Sequence, residues 1–307
     1  MSGRFAPSPS GQLHLGNLRT AAIAWLSARA AGRGFIVRVE DLDRQRSRRE
    51  HERQQLADLA AIGLDWDGEV VRQSERFGLY EAAIERLRGE GRVYECFCTR
   101  REIRAEIEAA PTAPHQLPGA YPGTCRELAP ARREELVAAG RSPALRLRGD
   151  DERVAFEDVL AGPSGATVDD VVLRRNDGTP AYNLAVVVDD AAQGVSEVVR
   201  GDDLLDSTPR QVLLQRLLGV PTPSYLHVPL VMGRDGYRLS KRDGAVTLAD
   251  LQADGVPVRE VIDWIARSLG LAGPDESVTL DDLVDRFDPT GIPRGPVAVP
   301  DLRSRPR

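Results

Sequence analysis

The sequence predicts an α/β layered fold around a parallel sheet, and three observations carry that reading. Strand-like and helix-like segments alternate through the first ninety or so residues. The texture then changes, with cysteines and a Pro/Gly-rich stretch from Pro111 to Gly123. The alternation resumes near residue 181, as expected when one sheet is interrupted by an insertion.

Residues 12–31 read as a loop entering an amphipathic helix that stops near Gly32 and Gly34. Phe35–Glu40 reads as a strand, followed by the acidic turn Glu40-Asp41-Leu42-Asp43. Residues 48–62 and 75–90 read as two further helices. Residues 91–180 form the insertion, with a cysteine subdomain at 94–127. Ala181–Val188, Val195–Arg200 and Leu226–Met232 read as strands, and 206–218 as a helix. The sheet-forming part closes at about residue 245 with a polar loop, Gly233–Gly244. Residues 247–270 read as helical within a C-terminal part, 246–291, and 292–307 as a mobile Pro/Arg-rich tail.

The 307 residues suffice for a substantial core, with 41% hydrophobic and 29% charged residues. No apolar run nears the roughly 18 residues of a membrane span, and no basic-then-apolar leader opens the chain. A net charge of −6 argues against general coating of nucleic acid, though not against a local basic surface. Three cysteines, two of them only two positions apart, fit a reduced, cytoplasmic setting better than a disulfide framework. Of 41 basic residues only Lys241 is a lysine. A solitary lysine suggests a site that the wide fork of arginine cannot serve, with chance survival as the plain alternative.

Two motifs carry chemistry. Arg4-Phe5-Ala6-Pro7-Ser8-Pro9-Ser10-Gly11, followed by Leu13-His14-Leu15-Gly16-Asn17, makes a stiff turn at a helix entrance. Free N–H groups and the positive dipole end suit phosphate there. His14 could donate to a phosphate oxygen as charge develops, and Gly16 would admit close approach of a ligand. Alone, such a histidine is more often a cap or packing residue. Arg238-Leu239-Ser240-Lys241-Arg242 places a point charge in a polar loop after a strand, able to close over a triphosphate.

Together with Val199-Arg200-Gly201-Asp202-Asp203, these motifs resemble the glutamyl-tRNA synthetases, a class I family, over about residues 3–270. The resemblance implies a Rossmann-like catalytic domain with a small zinc-containing insertion. It assigns ATP to His14, Gly16, Asn17, Ser240 and Lys241, with His14 and Lys241 catalytic. Glutamate falls to Arg4, Ala6, Ser8, Glu40, Tyr182 and Arg200. Arginine can clamp a carboxylate through two hydrogen bonds, and Glu40 can hold an ammonium. Leu239 and Arg242 depart from the family's usual lysine loop, and Val186 stands where the family carries Asn.

The same resemblance makes Cys96, Cys98, Tyr121 and Cys125 a structural Zn²⁺ site. Thiolates suit zinc, a phenolate is an unusual ligand, and His115 is the chemically ordinary alternative for the fourth place. ATP with Mg²⁺ is the expected co-substrate. Residues 242–307 leave no room for the family's anticodon-binding domains. That is the pattern of a truncated branch that activates glutamate without tRNA and esterifies queuosine in the anticodon loop of tRNA(Asp), expected here of a monomer. A minimal enzyme charging a tRNA 3′ end, a small-molecule adenylating ligase and a silent glutamate- or tRNA-binding protein are the competing readings.

Overall fold

The computed structural model describes residues 1–109, 121–233, 246–299 and 302. In chain order the elements begin with β1 (Ser2–Phe5), α1 (Leu15–Ala30), β2 (Gly34–Val39), α2 (Arg49–Ala61), β3 (Val71–Arg72) and α3 (Phe77–Gly89). Then come β4 (Val93–Cys96), α4 (Arg100–Ala109), α5 (Pro130–Ala138), β5 (Ala144–Leu147), β6 (Arg153–Asp158), β7 (Gly162–Thr167) and β8 (Val172–Arg174). The second half holds α6 (Tyr182–Ala192), β9 (Glu197–Gly201), α7 (Thr208–Leu217), β10 (Ser224–Val228) and β11 (Val231–Met232). The remaining elements are α8 (Leu248–Ala253), α9 (Val258–Ser268), α10 (Asp281–Val284) and β12 (Val297–Ala298).

The central strands run parallel. β1 pairs with β2 and β2 with β3, while β10 pairs with both β9 and β6. β7 closes that edge as an antiparallel partner of β6. The two halves meet where Ser2 bridges Val195, with Ser196 N–H donating to Ser2 O at 2.9 Å. The resulting order is β3-β2-β1-β9-β10-β6-β7. β1, β2 and β3 run outward in chain order in one half and β9 and β10 in the other, where β6 and β7 extend the edge. The crevice beyond their carboxyl ends is therefore a topological switch point, where open α/β sheets bind ligands.

Helices cover both faces, as a parallel sheet requires. One core joins Leu18, Ile23 and Trp25 of α1 to Leu59 of α2 and to Val261 and Ile265 of α9. The other joins Tyr80 and Ile84 of α3 to Leu184 of α6 and Leu213 of α7. α1 is buried almost all round, so its sequence is apolar beyond a single stripe. Its fully buried Arg19 donates to Ser268 Oγ (2.9 Å) and Pro229 O (3.1 Å), tying α1 to α9 and to the turn after β10. Among the described residues no helix is long and apolar enough to cross a membrane.

Several readings are corrected. Ala181–Val188 is not a strand: Tyr182 opens α6. The run Val186-Val187-Val188 favours β structure locally, but packing of Leu184, Ala185 and Val187 against the second core overrides it. Leu226–Met232 is split by Pro229 into β10 and β11. The single helix at 247–270 is two, broken by Gly255 (φ 77°) and by Pro257, which caps α9. Residues 153–167, counted within the insertion, pair with the main sheet through β6. A separate antiparallel sheet, β4-β5-β8, holds the rest of the insertion together. Of the segment from Ile292, read as mobile, the described residues are anchored: Ile292 and Leu302 are buried, and Val297 pairs with Val231.

Candidate active site

A cavity of about 260 Å³ occupies the switch point. Strand ends supply its walls: Arg4 and Phe5 from β1 with Ala6 just past it, Glu40 just past β2, and Val199, Arg200 and Gly201 from β9. His14, Gly16, Asn17 and Thr20 approach from the entrance of α1, and Tyr182 from α6. Of the residues named from sequence, Arg4, Ala6, His14, Gly16, Asn17, Glu40, Tyr182 and Arg200 line one cavity. Ser8 does not. It is exposed, and its carbonyl accepts from Gln55 Nε2 at 3.0 Å. Ser240, Lys241 and His115 lie outside the described residues.

His14 is the N-cap of α1. Its Nδ1 accepts the Asn17 N–H (3.2 Å), while Asn17 Oδ1 accepts the His14 N–H (3.1 Å), a reciprocal capping box. With Nδ1 an acceptor, the neutral ring carries its proton on Nε2, the tautomer suited to donate to an anion. Gly16 is required by close approach: a Cβ there would lie 3.1 Å from the His14 ring and 3.3 Å from Val231 Cβ. Leu15 N–H donates to Val246 O (3.2 Å), and His14 bridges Thr247. The described residues on either side of the segment bearing Ser240 and Lys241 thus include Val231, which lines the cavity, and Val246 and Thr247, which hydrogen-bond and bridge to Leu15 and His14.

Beneath the floor lies a buried charge network. Asp190 Oδ1 receives Arg38 (2.7 Å) and Arg4 Nε (3.3 Å), and Arg4 also donates to Val199 O (3.3 Å). Arg38 reaches Glu40 at 3.2 Å. Asp189 accepts from Arg76 (2.6 Å), Gln73 (2.8 Å) and the Tyr80 hydroxyl (2.8 Å). Burial works against the Asp190 carboxylate, but Arg4 and Arg38 outweigh it and hold its pKa below the usual range. Burial dominates at Glu40 and raises its pKa against the pull of Arg38 and Arg4. An ammonium group arriving at Glu40 would offset that desolvation.

Arg200 is placed differently. It is buried and hydrogen-bonded, yet among the described residues no carboxylate pairs with it. The sequence reading missed its partners His227, Gln211 and Thr208, and it missed Asp158, Asp189 and Asp190. The one local signal was the Asp189-Asp190 pair at helical spacing from Tyr182.

Away from the cavity, Cys96, Cys98 and Cys125 bring three sulfurs within 4.8 Å of one another. The Tyr121 hydroxyl lies 3.4 Å from Cys96 Sγ and 3.5 Å from Cys98 Sγ. Tetrahedral zinc with sulfurs at about 2.3 Å needs ligand separations of about 3.8 Å, so the cluster fits such an ion. Burial, with Cys125 and Cys96 adding to it, pushes the Cys98 thiol up to about 12 despite the Tyr121 hydrogen bond; a bound cation would reverse that.

The family description "tRNA synthetases class I (E and Q), catalytic domain" matches residues 1–296. The chain belongs to this family of class I aminoacyl-tRNA synthetases, ATP-dependent ligases. It is 61% identical to a glutamyl-Q tRNA(Asp) synthetase of Nocardia farcinica, covering 96% of this chain and 92% of that one. To a glutamate–tRNA ligase of Oleidesulfovibrio alaskensis it is 42% identical, covering 95% of this chain and 62% of that one. The crystal structure of a glutamate tRNA ligase from Elizabethkingia meningosepticum in complex with its amino acid superposes with a TM-score of 0.81. The identity there is 29%, over 97% of this chain and 66% of that one.

Proposed function

We propose that this protein activates L-glutamate with ATP and transfers it to queuosine in the anticodon loop of tRNA(Asp). The observation that carries the first half is the charge layout of the cavity. A buried arginine that pairs with no carboxylate among the described residues, Arg200, and a half-buried carboxylate, Glu40, border one space beside the N-terminus of α1. Glutamate offers the matching set: a side-chain carboxylate for Arg200, an ammonium for Glu40, and an α-carboxylate free to react. The α-carboxylate attacks the α-phosphate of ATP in line, and pyrophosphate departs with Mg²⁺. His14 Nε2–H and the free N–H groups of α1 stabilise the charge that develops, and Lys241 adds a point charge from its loop. The second half rests on likeness: identity is 61% to the glutamyl-Q tRNA(Asp) synthetase and 42% to the glutamate–tRNA ligase. A queuosine hydroxyl would attack the carbonyl carbon of the adenylate, forming the ester, breaking the bond to phosphate and releasing AMP, with the base splayed from its loop as in other RNA recognition.

Glutamate-dependent ATP–pyrophosphate exchange without any tRNA tests the first half, and aspartate and glutamine should support none. Lys241→Ala should lower kcat of exchange by about 10²–10³ while leaving the glutamate KM within roughly twofold. Unchanged kcat would remove that lysine from the chemistry.

Zn²⁺ on Cys96, Cys98, Cys125 and Tyr121 has a structural role in this proposal, tying β4 to the loop before α5. Metal analysis should find about one zinc per chain. Cys98→Ser should lose the metal and lower Tm, with exchange kcat little changed. Metal-free protein of unaltered Tm would contradict that role.

A further inference from the structure

Three neighbouring strands set a line of side chains behind the cavity. Asp158 ends β6, His227 lies on β10, and Arg200 is the β9 residue directly opposite His227. Arg200 Nε donates to His227 Nε2 (3.0 Å). Its terminal nitrogens donate to Gln211 Oε1 and Thr208 Oγ1, each at 2.8 Å. An arginine Nε always carries hydrogen, so His227 Nε2 must be an acceptor. The ring proton therefore sits on Nδ1, 2.6 Å from Asp158 Oδ2. Asp158 is itself fixed, because Oδ1 accepts the N–H groups of Leu160 (3.0 Å) and Ala161 (2.9 Å). Its Oδ2 also accepts the His227 N–H (3.1 Å). Tyr225 stacks on the imidazole with centroids 6.0 Å apart.

Among the described residues the hydrogen-bond partners of Arg200 share one property, that none carries negative charge. Burial lowers the His227 pKa, Arg200 adds to that, and Asp158 and Asp202 oppose it, so the ring is neutral near pH 7. Three of the five guanidinium donors are occupied by neutral acceptors, and the full positive charge remains at the cavity wall. A carboxylate at position 227 would cancel that charge, and a protonated imidazole would repel the Nε–H.

We propose that Asp158 and His227 are positioning residues for amino-acid selection. Asp158 fixes the Nδ1–H tautomer, and His227 aims Arg200 without neutralising it, which leaves its charge for a side-chain carboxylate and disfavours an amide. This rests on the reading of Arg200 as the glutamate-carboxylate partner.

Nitrogen-15 NMR of the full chain tests the tautomer directly, and only four histidines need assignment. Wild-type His227 should show the Nδ1–H form, and Asp158→Asn should convert it to Nε2–H. In pyrophosphate exchange, Asp158→Asn and His227→Phe should raise the glutamate KM about 10–100-fold, with the ATP KM within roughly twofold. The preference for glutamate over glutamine should fall by a similar factor. His227→Gln, which offers an acceptor oxygen near the Nε2 position, should recover most of the loss. A wild-type Nε2–H tautomer, an unmoved glutamate KM, or equal rises in both KM values would overturn the proposal. Absence of glutamate-dependent exchange in wild type would instead remove the pocket assignment itself. The tautomer measurement decides where a variant does not fold.

Discussion

Arg200→Leu should lower kcat/KM for glutamate in pyrophosphate exchange by roughly a thousandfold, about 4 kcal/mol, nearly all of it through KM. The size follows from the setting. Arg200 is buried, so a carboxylate bound to it is shielded from water and gains much more than it would at the surface. Leucine fills part of the space but returns no hydrogen bond, which leaves Gln211 Oε1 without its Arg200 donor and His227 Nε2 with only the Thr208 hydroxyl, at 3.2 Å, within reach among the described residues. Arg200→Lys should recover only a fraction, because one ammonium cannot satisfy three acceptors and a ligand together. The ATP KM is the control and should stay within about twofold. A glutamate KM indifferent to both substitutions would place the side-chain carboxylate elsewhere.

Asp190→Asn should be the most destabilising single change in the floor of the cavity, costing about 3–5 kcal/mol. It removes the common counter-charge of Arg4 and Arg38, both buried, and leaves Asp189 and Glu40 to balance what remains. At roughly 2–4 °C per kcal/mol for a chain of this size, thermal denaturation should show Tm lower by about 10 °C. The sign of the pH dependence follows from the same pairing. The folded pKa of Asp190 lies below its unfolded value, so its stabilisation is present above the unfolded pKa and disappears as pH falls through the folded one. The Asn variant should therefore lose less stability than wild type between about pH 5 and the acid transition. Equal acid sensitivity in the two proteins would argue against a charged Asp190 in the folded state.

The residues that the sequence disclosed lie in contiguous motifs. Arg4 lies near the end of the first strand and Ala6 just past it, His14 and Gly16 open the first helix, and Glu40 follows the second strand. Short segments with a mechanical reason for each residue are readable one at a time, since a cap or a phosphate-facing turn is local. The Arg200 assembly is not local. Its contacts to His227 and then Asp158 span 27 and 69 positions, and they exist only because β6, β10 and β9 are neighbours. A buried neutral histidine leaves no periodic trace in the sequence. Tyr182 was assigned to the cavity but placed on a strand, because local β preference was weighed without the core that turns the segment helical. The C-terminal segment misled for a similar reason: proline and arginine suggest disorder, yet Ile292 and Leu302 are seated in the core.

The central claim is that glutamate activated in this cavity goes to the anticodon loop of tRNA(Asp), and label location tests it most directly. Radiolabelled glutamate, ATP and queuosine-containing tRNA(Asp) are incubated with the protein, and the product is mapped by nuclease digestion with and without periodate pretreatment of the tRNA. The account predicts a base-labile label confined to the anticodon-loop fragment, lost when periodate has cleaved the queuosine diol and absent from tRNA lacking queuosine. Label on the 3′-terminal nucleoside would contradict it and assign the protein to charging of the acceptor end.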